Sequence, residues 1–137
     1  MKILIDRNVL LDYLTDHSPY SAHSEQIFDL CIQGEAEGFL TAGSAADIYN
    51  TLNNCVGRSK AAANLKVILG MLDVVGVTKN DLIRATELKI EDYADAITAA
   101  CAKRIKAEYI VTRNEKGFEG SPVAPITPWQ LLNISFI

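Results

Sequence analysis

A short apolar run that ends on an acid sets the first constraint. Ile3-Leu4-Ile5 carries no polar residue on either face and stops at Asp6, after which Val9, Leu10, Tyr13 and Leu14 recur with a helical period. A strand buried on both faces, followed at once by a helix, is the unit from which parallel sheets are built.

The rest of the chain keeps this alternation. Asn8 is expected to cap the first helix, and His17-Ser18-Pro19 to break it. A second helix is expected from about Ser21, through Ile27, Phe28, Leu30 and Cys31, to Gly34. Gly38 to Thr41 reads as a second strand. The helix after it carries Ala46, Ile48, Tyr49 and Leu52, and weakens into a turn at Asn53-Asn54-Cys55-Val56-Gly57. Ser59 to Leu72 reads as a helix, Asp73 to Val77 as a third strand, Asp81 to Leu88 as a short helix, and Ala94 to Ile105 as a long one rich in alanine. Tyr109 to Val111 is the strand that follows. Gly117 to Pro128 reads as loop with a short edge strand at Val123 to Ile126, and Thr127-Pro128-Trp129 as the cap and first turn of a final helix. Strands alternating with helices imply an α/β fold with a parallel sheet covered on both faces. No linker, repeat or low-complexity segment divides residues 1–137, so one domain is expected.

The totals fit that reading. A chain of 137 residues can bury a real core, and 49% hydrophobic with 22% charged residues argues against disorder. The net charge of −4 is no broad nucleic-acid footprint. It leaves room for chemistry on phosphate in which a metal supplies the positive charge. The three cysteines, Cys31, Cys55 and Cys101, are odd in number and form no CxxC pair. A disulfide framework and a zinc site are therefore not expected, each thiol is expected to be buried, and a cytoplasmic, reducing setting fits best. The opening apolar run is too short for a signal-peptide core, and no run is long enough to span a membrane.

In open parallel sheets, ligands bind outside the carboxyl ends of the strands. Asp6 ends the first strand, Asp47 lies in the first turns of the helix after the second, Asp95 near the start of the alanine-rich helix, and Asn114 just after the strand Tyr109 to Val111. Brought to one edge of the sheet, these carboxylates would repel unless a cation sat among them. A hard divalent ion that keeps several waters and bridges to phosphate is the natural occupant. The same residues also have a plain structural reading, as helix caps, favourable charges at helix N-termini and a turn asparagine.

The residues around the acids add a resemblance. Ile3 to Leu14, with Asp6-Arg7-Asn8-Val9-Leu10-Leu11-Asp12, resembles the opening of PIN domains: a hydrophobic strand, then Asp-Thr/Ser-Asn, two hydrophobic residues and Asp. Ala45-Ala46-Asp47-Ile48-Tyr49 is similar to the second acidic motif of that family, Asp92-Tyr93-Ala94-Asp95-Ala96 to the third, and Tyr109-Ile110-Val111-Thr112-Arg113-Asn114 to the late motif. Ser121-Pro122-Val123 through Thr127-Pro128 resembles the ending of a bacterial branch close to the VapC-like toxins of toxin–antitoxin pairs. The resemblance implies a three-layer α/β/α sandwich around a mainly parallel sheet and a nuclease that cuts single-stranded RNA with Mg²⁺ or Mn²⁺. It implies metal-site carboxylates at Asp6, Asp47 and Asp95, a contribution from Asn114 directly or through water, and a positioning role for Thr112, with Asn8 beside the first acid. Relatives of this kind form homodimers and are held inactive by a small antitoxin.

Two departures stand out. Arg7 replaces the usual Thr or Ser. Pointing inward, it would pair with Asp6 or Asp95 and take the place of a cation, leaving a PIN-shaped binding module. Pointing outward, it would grip substrate phosphate. Gly117 stands where relatives often carry an acid, and Ala94 where they carry Glu. Arg113 and Lys116 are the basic residues best placed for RNA phosphate. The runs Lys103-Arg104-Ile105-Lys106 and Arg58-Ser59-Lys60 read as solvated helix faces. His17 and His23 are expected at the surface, and Trp129 and Phe136 in the core or at a dimer contact. A receiver-like aspartyl phosphoryl-transfer domain would need a second acid beside Asp6 and a late lysine, and a dinucleotide-binding domain a Gly-x-Gly-x-x-Gly run after the first strand. Neither is present.

Overall fold

A computed structural model describes residues 1–134; Phe136 lies outside them. The strands are β1 (Lys2–Ile5), β2 (Glu37–Thr41), β3 (Asp73–Val75), β4 (Tyr109–Val111) and β5 (Pro125–Ile126). The α-helices among the described residues are α1 (Arg7–Leu14), α2 (Tyr20–Ile32), α3 (Ala42–Val56), α4 (Arg58–Met71), α5 (Lys79–Glu87), α6 (Tyr93–Arg104) and α7 (Pro128–Asn133). A 3₁₀ turn at Glu115–Phe118 follows β4. The strands form one sheet in the order β3-β2-β1-β4-β5, every pairing parallel. The chain builds outward from β1 to β3, then crosses back to add β4 on the other flank of β1. The order therefore reverses between β1 and β4, and the crevice outside their carboxyl ends is where such sheets bind ligands.

Alternation along β1 divides the core into two layers. Ile3 and Ile5 face a cluster that includes Val9 and Leu10 of α1, Ile27 and Phe28 of α2, Ile48 and Leu52 of α3, Ile68 of α4 and Leu131 of α7. Leu4 faces the other side, against Ala96, Ala99 and Ala100 of α6, Ala85 of α5, Ile110 and Phe118. The result is a three-layer α/β/α sandwich. The run of alanines lets α6 lie close on the sheet. Truncating Leu4, which is fully buried, to alanine costs about 2–5 kcal/mol. Gly38 in β2 is required by packing, because a Cβ there would stand 2.6 Å from Leu72 Cδ2 and 2.7 Å from Cys31 Sγ.

Several local expectations are corrected. Asp6, not Asn8, caps α1: its carboxylate accepts the Arg7 N–H, whereas Asn8 lies inside the first turn. Helix α3 runs through Asn53-Asn54-Cys55 to Val56, because Leu52 anchors it while both asparagines face solvent. It stops only at Gly57, whose φ of 88° is open to glycine. Asp81 does not begin α5; it is the third residue of the helix and closes a capping box with Thr78. The stretch from Gly117 is not all loop, since the 3₁₀ turn covers its start, and the edge strand is limited to Pro125–Ile126. Cys101 is buried as expected, Cys31 is half-buried, and Cys55 is exposed. Trp129 is exposed rather than in the core.

Candidate functional site

The β1–β4 crevice is built from the ends of those two strands and the helix starts beside them. β1 runs level with β4, Ile5 opposite Val111, and the ladder continues one step as Asp6 N–H donates to Val111 O at 2.9 Å. This places Asp6 beside Thr112. Both are buried, and Thr112 Oγ1 donates to Asp6 Oδ2 at 2.8 Å while Asp6 Oδ1 accepts the Arg7 N–H at 2.9 Å. Thr112 Oγ1 in turn accepts the Asn114 N–H at 3.0 Å. One hydroxyl thus ties the first acid to the loop that carries Asn114. Burial pushes the Asp6 carboxyl above its usual range; the Thr112 and Arg7 hydrogen bonds and the Arg7 charge oppose this, and Asp92 adds to it.

Asp95 enters from α6. Asp92 caps that helix by accepting the Asp95 N–H at 3.0 Å, which places both acids on its first turn. Burial, reinforced by the charges of Asp6 and Asp92 and opposed by that of Arg7, raises the Asp95 carboxyl to about 6. Asp6, Asp92 and Asp95 therefore share one field. Asn114 caps the 3₁₀ turn, its Oδ1 accepting the Gly117 N–H at 3.3 Å. A Cβ on Gly117 would stand 2.6 Å from Asn114 Nδ2 and 3.2 Å from Asp95 Oδ2. The Asn114 amide and the Asp95 carboxylate thus flank the point where relatives' acid would branch. Asp92, Asp95, Asn114, Lys116 and Gly117 line an open cleft of about 600 Å³.

Asp47 and Arg7 form a separate pair at this end of the sheet. Arg7 Nη1 donates to Asp47 Oδ2 at 2.9 Å, with 36% of the Arg7 and 51% of the Asp47 side chain exposed. The Arg7 guanidinium is therefore bonded to neither Asp6 nor Asp95, although its charge is felt at both.

Of the two basic residues expected at RNA phosphate, Lys116 lines the cleft and Arg113 does not. Arg113 turns back to clamp the buried Asp12, Nε donating to Oδ2 and Nη2 to Oδ1 (3.1 Å), and stacks 4.1 Å from the Tyr20 ring centre. A buried carboxylate left unpaired is costly, so Arg113 goes to Asp12 first. His17 is half-exposed and meets the same carboxylate at 2.9 Å. Asn8 accepts a long 3.4 Å bond from the Arg113 N–H and does not reach the acids. Arg104 also leaves its expected solvated face, donating through Nε and Nη2 to the buried Asp81. A second, apolar hollow of about 280 Å³ lies between Tyr20 and Trp129 and holds no carboxylate.

Asp92 lies in the third motif and lines the cleft although no role is expected for it from the sequence. Its signal was the Asp-x-x-Asp spacing of a helix cap, which necessarily carries a second acid to the cleft along with Asp95. Among the described residues no three His, Cys, Asp or Glu side chains cluster closely enough to hold a metal ion by themselves. The donors at hand are all oxygens, and the charges of Asp6 and Asp92 raise the proton affinity of Asp95. That set fits a hard divalent cation that keeps much of its water.

The chain is thus an all-parallel α/β/α sandwich with carboxylates and an asparagine at its switch point. The PIN domain family model matches residues 2–116, and the chain belongs to that family. Among known proteins it is similar to Ribonuclease VapC1 of Aquifex aeolicus, 20% identical over 131 residues that cover 92% of this chain and 90% of the relative. Among solved structures it is similar to DNA-bound VapBC from Salmonella typhimurium, with TM-score 0.75, 14% identity, and 93% of this chain and 98% of the other covered. It is also similar to VapC20 of Mycobacterium tuberculosis, a Sarcin-Ricin loop cleaving toxin, with TM-score 0.65, 14% identity, and coverage of 79% and 86%. No helix among the described residues is long and apolar enough to cross a membrane.

Proposed function

We propose that this chain is a metal-dependent endoribonuclease that hydrolyses phosphodiester bonds of single-stranded RNA, acting in the cytoplasm as the homodimeric toxin of a toxin–antitoxin pair. The observation that carries the reading is the convergence of Asp6, Asp95 and Asn114 at the β1–β4 crevice, with Thr112 bridging the first acid to the asparagine loop. The similarity to Ribonuclease VapC1 supports an RNA substrate, and the similarity to a VapBC complex supports a small antitoxin partner.

Asp6 and Asp95 would hold Mg²⁺ or Mn²⁺, Asn114 would add an amide oxygen directly or through water, and Asp47 would offer the oxygen that Arg7 leaves free. The ion supplies Lewis-acid activation of the attacking water and of the phosphate. Thr112 fixes the Asp6 carboxylate and keeps one of its oxygens hydrogen-bonded, so the other is aimed by the helix cap. Lys116 lines the same cleft as Asp92 and Asp95, and its cation would meet backbone phosphate there.

The test is calorimetric titration with Mn²⁺ alongside cleavage of single-stranded RNA, using wild type and Asp95→Asn. Binding and cleavage by the wild type, both lost in the variant, are the expected result. A second reading is favoured by the Arg7–Asp47 pair: a PIN-fold binding module in which Arg7 stands in for the cation. No Mn²⁺ uptake and no cleavage by a folded wild type would establish that reading and sink the first.

A further inference from the structure

Among the described residues three arginines are paired with aspartates, and they differ in how much of the guanidinium is used. Arg104 engages Asp81 through Nε and Nη2 and also donates from Nη2 to Gly76 O. Arg113 engages Asp12 through Nε and Nη2 and stacks on Tyr20. Arg7 uses Nη1 alone, and among the described residues its Nε and Nη2 donate to no other group. The fork that binds carboxylate or phosphate through two parallel N–H bonds is thus spent in two of the arginines and open in the third.

The open fork stands where a phosphate would come. Arg7 is the first residue of α1, directly after Asp6, and its charge reaches both Asp6 and Asp95. Asp47 holds it from the α3 side by a single bond and is itself half-exposed. A guanidinium needed only to neutralise the acids of the crevice would bond to Asp6 or Asp95, as that of Arg113 does to Asp12, whereas the Arg7 guanidinium bonds neither.

We propose that Arg7 is a substrate-binding residue that grips the RNA backbone phosphate through its free Nε–Nη2 edge, and that Asp47 is the residue that positions it. The proposal rests on the ribonuclease reading above and refines it. Asp47 then acts through Arg7 rather than as an essential ligand of the metal. The replacement of a small hydroxyl residue by Arg7 is, on this account, a gain in phosphate recognition and not a loss of the site.

The experiment separates binding from cleavage. A fluorescent single-stranded RNA 12-mer is titrated with the full chain in EDTA at several salt concentrations, and Mn²⁺ affinity is measured separately by calorimetry. Arg7→Gln is expected to weaken RNA binding about tenfold and to reduce the slope of log K against log salt by about 0.7, the value of one single-strand phosphate contact. Arg7→Lys recovers the slope but not the full affinity, since a point charge replaces a fork. Asp47→Asn weakens RNA binding severalfold and adds nothing to Arg7→Gln in the double variant, because it acts through the same group. Arg7→Gln retains Mn²⁺ affinity. If the wild type binds RNA and Arg7→Gln binds it equally well with the same slope, the proposal is overturned while the ribonuclease reading stands. Loss of Mn²⁺ binding in Asp47→Asn with RNA affinity intact overturns it as well, making Asp47 a metal ligand. Absence of RNA binding by the wild type in EDTA overturns the proposal, while the ribonuclease reading is decided by cleavage in Mn²⁺.

Discussion

Asp81 and Asp95 are both carried by helix first turns on the same face of the sheet, and their surroundings drive them in opposite directions. Burial alone would raise either carboxyl. At Asp81 it is outweighed by Arg104 and by the backbone and side chain of Thr78, which together lower the group to about 2. At Asp95 nothing comparable answers it: the neighbours are Asp6 and Asp92, Arg7 is a lesser influence, and the carboxyl rises to about 6. The first arrangement is closed, with every oxygen engaged and the arginine fork used up. The second is open and repulsive in the absence of a cation. Stability is stored where charges are satisfied, and chemistry is available where they are not.

The comparison breaks most visibly if Asp95 is not needed. Asp95→Asn is expected to reduce RNA cleavage by about 10³-fold or more, because several kcal/mol of charge stabilisation go with the metal. Its melting temperature, measured by circular dichroism, should hold or rise, since one repelling charge is gone. Arg104→Ala is the mirror experiment. It leaves Asp81 buried and unpaired, so a loss of about 3–5 kcal/mol in urea unfolding is expected, with cleavage per folded molecule unchanged. A variant that lost cleavage but kept stability would place Arg104 in the site and erase the distinction.

Thr112 lies between these extremes, because it belongs to the core and serves the cleft. Thr112→Val keeps the shape but removes the hydroxyl that donates to Asp6 and accepts from the Asn114 N–H. A partner one step removed from a metal ligand is worth about 10–100-fold in metal affinity or activity, and that range is expected in Mn²⁺ titration and cleavage alike. Thr112→Ser, which restores the hydroxyl, should recover most of it. Failure of the serine to do so would mean that the methyl group, not the hydroxyl, holds the site.

How much of this was legible in the sequence follows from the range of the interactions. Strands β1 and β4 announce themselves because both of their faces are apolar, and the acid or threonine that ends each one is fixed by adjacency. Asp95 was readable for a similar local reason, as a charge at a helix start. The pairings were not readable. Arg7 meets Asp47 across 40 residues and Arg113 meets Asp12 across 101. Which arginine meets which aspartate depends on the sheet order β3-β2-β1-β4-β5, and periodicity carries no information on that order. Arg113 was therefore read as a phosphate ligand when Asp12 had prior claim on it. The persistence of α3 past Asn53 had a similar cause, since the anchoring contact of Leu52 with the core is not local.

The smallest expected effect is the most diagnostic of the comparison, because the two acids give stability opposite slopes with pH. Asp81 is lowered from an ordinary 3.8 to about 2, so the unfolded state binds more protons between those values. Stability from Asp81 is complete above about pH 4 and is lost as pH falls toward 2. Asp95 is raised from 3.8 to about 6, so there the folded state binds more protons. Its contribution is favourable below about pH 4 and is lost as pH rises through 6. Discounted for its partial exposure to water, this amounts to about 1 kcal/mol. In EDTA, chemical unfolding of the wild type should show a decline in stability between pH 4 and 6 that Asp95→Asn reduces, the raised carboxyl of Asp6 keeping the remainder, while the acid limb below pH 4 stays. Arg104→Ala should flatten the acid limb and keep the decline. Saturating Mn²⁺ should reverse the decline in the wild type only, because an ion that needs the ionised carboxylate turns the same repulsion into binding.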